Sequence, residues 1–125
     1  MTASATKVIR FSLDMGKDQR QHLKMFSASN SIQSVAIVRA MLLLVELNKD
    51  FADDIVEEIF KDKEKKPEDP TRLTIDLDVE QHRFLKLFSI QNGFTASVLV
   101  RKLMQILRED EEFANAILDT IFSNE

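Results

Sequence analysis

Two hexads of strict alternation constrain this chain more than any other feature: Arg10-Phe11-Ser12-Leu13-Asp14-Met15 and Arg72-Leu73-Thr74-Ile75-Asp76-Leu77. Polar and apolar residues take turns in both, the period of a strand with one buried face. The hexads stand 62 residues apart (72 − 10), and at that offset Arg10–Phe60 lies over Arg72–Phe122 without a gap. Leu23-Lys24 falls on Leu85-Lys86, Phe26-Ser27 on Phe88-Ser89, Asn30 on Asn92, and Val38-Arg39 on Val100-Arg101. Phe51-Ala52, Ile55 and Ile59-Phe60 recur as Phe113-Ala114, Ile117 and Ile121-Phe122. A lone short strand leaves its backbone donors and acceptors unpaired, and one strand with two helices cannot close a core. Two copies are too few for a solenoid, which needs about three stacked units, but they suit a fold that is otherwise an obligate dimer.

After each hexad the period changes to that of a helix. In the second copy Asp78 and Gln81 form a capping-box pattern, and Phe84, Leu85, Leu87 and Phe88 follow at helical spacing. Asn92-Gly93 ends that helix, because Gly takes the left-handed conformation that closes a C-terminus. Thr95 caps a second helix with Val98, Leu99, Leu103, Ile106 and Leu107 as its buried stripe. In the first copy the strand is expected over Lys7–Met15 and the first helix over Lys17–Ala28, entered through Gly16 and Asp18. Asn30-Ser31 makes the turn, and the second helix covers Val35–Leu47. Here Ser31 replaces the glycine and Gln33 stands where Thr95 caps, so Ser34 becomes the alternative cap.

The order of alternating strand, helix with a Leu-Lys pair, Gly turn, Ser/Thr cap and second helix with an apolar-Arg step resembles the ribbon-helix-helix DNA-binding family. The elements that carry it are Arg72–Leu77, Leu85-Lys86, Gly93, Thr95 and Val100-Arg101. The resemblance implies two strands paired antiparallel into a ribbon, with the second subunit supplied covalently. The expected fold is therefore mainly α with a two-stranded antiparallel ribbon: a tandem ribbon-helix-helix single-chain pseudo-dimer, each copy carrying an extra third helix. It also implies double-stranded DNA as partner, with the ribbon in the major groove. The base-reading residues would then be Arg10, Ser12 and Asp14 from one strand and Arg72, Thr74 and Asp76 from the other. Arg grips guanine O6 and N7, Ser and Thr are versatile, and Asp accepts from cytosine N4. Phosphate would be held by Lys7 and at the starts of the second helices, near Ser31 and Ser34 in one copy and Gly93, Thr95 and Ser97 in the other.

The net charge of −4 opposes that partner until it is divided along the chain. Residues 7–45 carry six basic against two acidic side chains, and residues 72–107 five against three. Residues 46–60 and 108–125 each hold one basic residue against six acids. The strand and first two helices of each copy are thus basic and the appended segments acidic, which can leave one positive side on an acidic protein. Ordinary surface charge is the plainer alternative.

Those appended segments, Asp50–Lys61 and Glu111–Phe122, show apolar residues at helical spacing: Phe51, Ile55, Val56, Ile59 and Phe60, then Phe113, Ile117, Leu118, Ile121 and Phe122. Each reads as a third amphipathic helix with an acidic outer face. It either covers the core away from DNA or offers a surface to another protein or a second copy, a homodimer of pseudo-dimers. Residues 1–60 make the first unit, 72–125 the second, and both share one core. Residues 61–71, charged and broken by Pro67 and Pro70, link them. A solvated linker is the plain reading of its lysines, phosphate contact the sharper one.

Other chemistries find little support. No Cys is present, which excludes disulfides and thiolate metal sites and fits an intracellular protein. His22 and His82 are not equivalent at the 62-residue offset, so no symmetric metal site follows. Two glycines cannot build a phosphate cradle, and no nucleophile motif appears; no enzyme and no cofactor are expected. The longest apolar run, Ala40–Val45, is a buried helix face rather than a membrane span. Met1–Thr6 reads as a frayed tail without a signal-peptide core. The expected role is a transcriptional repressor or a plasmid or phage copy-control regulator, cytoplasmic and nucleoid-associated. A relaxosome or partition accessory protein, or an antitoxin-like or adaptor module acting through the acidic third helices, stands as the alternative.

Overall fold

The computed structural model describes residues 7–62, 67 and 69–123. The Met1–Thr6 tail and the linker lysines 63, 65 and 66 lie outside the described residues. The order is β1 (Val8–Met15), α1 (Lys17–Asn30), α2 (Ser34–Leu47) and α3 (Lys49–Lys61). It then repeats as β2 (Thr71–Asp78), α4 (Val79–Asn92), α5 (Ala96–Glu109) and α6 (Glu111–Ser123). The fold is mainly helical, with a two-stranded antiparallel sheet and six helices among the described residues.

The strands pair in the register Val8 to Asp78 through Met15 to Thr71. Alternation places Phe11, Leu13, Met15, Leu73, Ile75 and Leu77 on the buried face, each at most 7% exposed. Burying side chains of that size stabilises by roughly 1.5–3 kcal/mol each. The helices meet that face and form one cluster that draws on both copies, with Leu23, Ile37, Val38, Met41, Leu85, Leu99, Val100 and Leu103 fully buried. α6 rests on α2 as well as α5, and α3 on α5 as well as α2, so neither copy closes its core alone.

The caps explain most boundaries. Asp78 Oδ1 accepts from the Gln81 amide at 2.7 Å and Thr95 Oγ1 from Val98 at 3.3 Å. The capping box is only half made, because the buried Gln81 Oε1 has no protein donor. α1 extends past the expected Ala28 to Asn30 because Ser31 adopts a left-handed φ of 55°, and Ile32 N reaches back to Ser27 O at 3.0 Å. Gly93, at φ 80°, closes α4 through the matching bond from Phe94 N to Ser89 O at 3.1 Å. Gly16 is the N-cap of α1, with Asp18 in its first turn. Gln33 holds the N-cap position of α2 with no side-chain bond, and Ser34 is its first residue rather than its cap. α3 starts at Lys49, one residue before the expected Asp50, behind Asn48, whose Oδ1 accepts from Phe51 N at 3.0 Å.

The apolar stripes are narrower than their spacing predicts. Leu85 is fully buried, while Leu87 is 50% exposed. On the third helices Ile55, Ile59, Phe113 and Ile117 are buried, but Phe60 and Phe122 stand largely outside. Phe51 and Phe113, equivalent at the 62-residue offset, stack with centroids 5.2 Å apart and so join α3 to α6. No single helix among the described residues is long and apolar enough to cross a membrane.

Candidate nucleic-acid interface

The register gives the outer face of the ribbon an internal symmetry. Arg10 faces Asp76 and Asp14 faces Arg72, while Ser12 faces its own repeat equivalent, Thr74. A local twofold therefore passes between Ser12 and Thr74, whose hydroxyls lie 2.9 Å apart. On either side Arg10 Nε sits 3.5 Å from Asp76 Oδ1, and Arg72 Nε 3.5 Å from Asp14 Oδ1. All six expected base-reading residues are thus brought together on one surface. The arginine side chains are 74% and 70% exposed and the aspartates 47% and 51%, so these pairs are open to solvent and competitors. Exposed pairs of this kind contribute about 0–1 kcal/mol, which leaves the arginines free to exchange partners.

Behind the ribbon lies a contact that sequence reasoning missed. Arg39 Nη2 donates to the backbone carbonyl of Asp76 at 2.7 Å, and Arg101 Nη1 to that of Asp14 at 2.9 Å. Each arginine belongs to the second helix of one copy and holds the strand of the other. A two-stranded ribbon has two open edges whose carbonyls need donors, and these guanidiniums supply one on each side. The signal was visible as Val38-Arg39 over Val100-Arg101, a cation set into an apolar helix face twice.

The expected phosphate-binding positions fall into two clusters. Ser31 and Ser34 flank the turn into α2; Gly93, Thr95 and Ser97 flank the turn into α5. Ser31, Gly93 and Thr95 are exposed, Ser34 and Ser97 half-buried, and Lys7 is exposed at the foot of β1. The first amides of a helix have no partner within it and carry the positive end of its dipole. Arg39 lies five residues after Ser34, about 7.5 Å along the helix at 1.5 Å per residue, and it touches the ribbon. Each helix start is thereby held at a fixed reach from the strands.

Elsewhere the copies diverge. Lys102 is 7% exposed where the first copy has Ala40, and its Nζ donates to Asp62 Oδ2 at 3.1 Å and Gln105 Oε1 at 3.3 Å. A groove of about 360 Å³ between α3 and α5 is lined by the apolar Phe51, Ile55 and Ile106, by the carboxylates of Asp54, Glu58 and Glu109, and by Lys102 with its partner Asp62. Burial lowers the His22 pKa, and the nearby Arg108 charge lowers it further. No cluster of three or more metal-binding side chains occurs among the described residues. Comparison with protein-family profiles, curated proteins and solved structures finds no match to this chain.

Proposed function

We propose that the chain is a tandem ribbon-helix-helix pseudo-dimer that binds double-stranded DNA sequence-specifically, with its ribbon in the major groove. The observation that carries this reading is the twofold array on the outer face of the ribbon, two arginines, two aspartates and a central hydroxyl pair. A B-form major groove is about 12 Å wide and admits such a ribbon. Hydrogen-bonding side chains on a face that buries nothing have a use there, and the basic charge of the strands and first two helices agrees with it. The helix starts near Ser34 and Thr95 would fix the duplex by its phosphates without reading sequence. A protein of this kind acts as a repressor or as a plasmid or phage copy-control regulator, with a relaxosome or partition role built on the same contact. Selection from randomised duplexes tests the proposal: an enriched, imperfectly palindromic motif is expected, and enrichment of none refutes it.

The acidic groove between α3 and α5 favours a second reading. Its mix of apolar side chains and carboxylates fits a basic partner segment, so a protein-interaction module acting through the third helices is the alternative. A binding response to duplex DNA that is flat in salt would favour it.

A further inference from the structure

We infer that each cross-strand Arg–Asp pair on the ribbon works as one reader of a G·C base pair, and that Asp14 and Asp76 set specificity by penalising every other site. This rests on the DNA-binding reading above and assigns the class of sequence it would take.

Each aspartate meets an arginine on two sides. Its backbone carbonyl accepts from a half-buried arginine of the other copy, and its carboxylate faces an exposed arginine across the ribbon. With two arginines against two carboxylates, the outer face has no net charge to offer the phosphates. Its value to binding depends on what the bases supply. In the major groove a G·C pair presents two adjacent acceptors, guanine N7 and O6, followed by the cytosine N4 donor. A guanidinium beside a carboxylate matches that order, the first taking the acceptors and the second the donor. On an A·T pair the adenine N6 donor lies between the acceptors N7 and O4, so the guanidinium loses its bidentate grip. There the carboxylate stays in a negative groove with a poorly placed partner.

The register also sets the spacing. The pairs are centred four residues apart along each strand, about 13 Å at roughly 3.3 Å per residue. At about 3.4 Å per base pair this corresponds to two G·C readers about four base pairs apart, with the Ser12–Thr74 centre permissive between them.

The test compares wild type with Asp14→Asn combined with Asp76→Asn, using a randomised duplex library and a fixed random-sequence duplex. Both positions are about half exposed, and thermal unfolding checks that the variant is folded. Wild type is expected to enrich two G·C positions about four base pairs apart. The double variant is expected to bind the random duplex more tightly and to lose the cytosine requirement. Two freed arginines neutralise about two more phosphates. Its random-duplex affinity should therefore fall about tenfold further than that of wild type between about 50 and 200 mM salt. A second variant, Asp14→Arg with Arg72→Asp, keeps the ion pair and should exchange the strand on which guanine is preferred at one half-site. If wild type enriches a motif and the Asn variant leaves motif and random-duplex affinity unchanged, the carboxylates only bridge the ribbon and the inference is overturned. If wild type enriches no motif, the DNA-binding reading itself falls, and the inference with it.

Discussion

Replacing Arg39 with Met tests whether the two copies hold each other's strands. Met keeps the aliphatic stem and its packing but removes the guanidinium that donates to the Asp76 carbonyl at 2.7 Å. A hydrogen bond from a charged donor contributes about 1.5–3 kcal/mol. Arg39 is half-buried, so its loss is expected to cost about 1.5–2 kcal/mol, with Arg101→Met costing about the same through the Asp14 carbonyl. Asp14 and Asp76 lie on opposite sides of the twofold, separated by four residues of register or about 13 Å. Groups that far apart are independent, so the double variant is expected to lose about 3–4 kcal/mol, the sum of the singles. Urea unfolding followed by circular dichroism measures this, with an unchanged slope showing that the unfolded state is not altered. Single losses below about 0.5 kcal/mol would show that these bonds only replace equal bonds to water, and the reasoning would fail.

Ser31 pays a left-handed φ that only Gly takes freely, so Ser31→Gly is expected to raise stability by about 1 kcal/mol and Gly93→Ala to lower it by about as much. The His22 pKa lies below its unfolded value, so the unfolded chain binds the extra proton first; stability is expected to fall as pH drops through about 6.5, and less so in His22→Gln. If four to six phosphates are neutralised, the log–log slope of DNA affinity against salt is expected to be about −4 to −5, read in a titration over several salt concentrations. Cleavage at a protease site placed within residues 63–69 should make stability depend on protein concentration, because α6 rests on α2 and β1 on β2; a half that folds alone after separation would refute the shared core.

Period and offset made the elements legible. Alternation gave both strand faces, and the Asp78 and Thr95 caps and the Gly93 turn appear where their chemistry put them. What the sequence hid depends on backbone conformation and on neighbours distant in the chain. Leu87 and Phe60 sit at helical spacing but stay half-exposed or more, Phe60 with its ring tilted against that of Phe94, and periodicity cannot report how wide a neighbour is. At Ser31 the side chain does not reveal that the backbone takes αL; bonds to Ser27 and Ala28 hold it there. The Arg39 and Arg101 contacts were hidden for the same reason, since each acceptor is a backbone carbonyl with no signature in sequence. The site residues were legible as a set because a strand displays every second residue on one face. Their pairing into Arg–Asp units required the register.

The positions where the two copies agree and differ separate what the ribbon requires from what the chain is free to vary. Both copies keep the charged groups at the ribbon: Arg10 with Arg72, Asp14 with Asp76, and Arg39 with Arg101. These are the groups whose partners lie in the other copy, so a change in one copy disturbs the interface at a second place. The third helices keep Phe51, Ala52, Ile55, Ile59 and Phe60, but the surroundings of the groove differ: Ala40 becomes Lys102, and the α3 acids Asp54 and Glu58 become Ala116 and Thr120. A homodimer must accept every substitution twice, and a buried lysine on its axis-related positions would place two cations in one core at a desolvation cost of several kcal/mol each. A covalent pair accepts it once, with the Asp62 carboxylate as a counter-charge. One chain thus carries a ribbon face whose charged pairs are symmetric across the register together with a groove between α3 and α5 whose lining is not repeated in the sequence of the other copy.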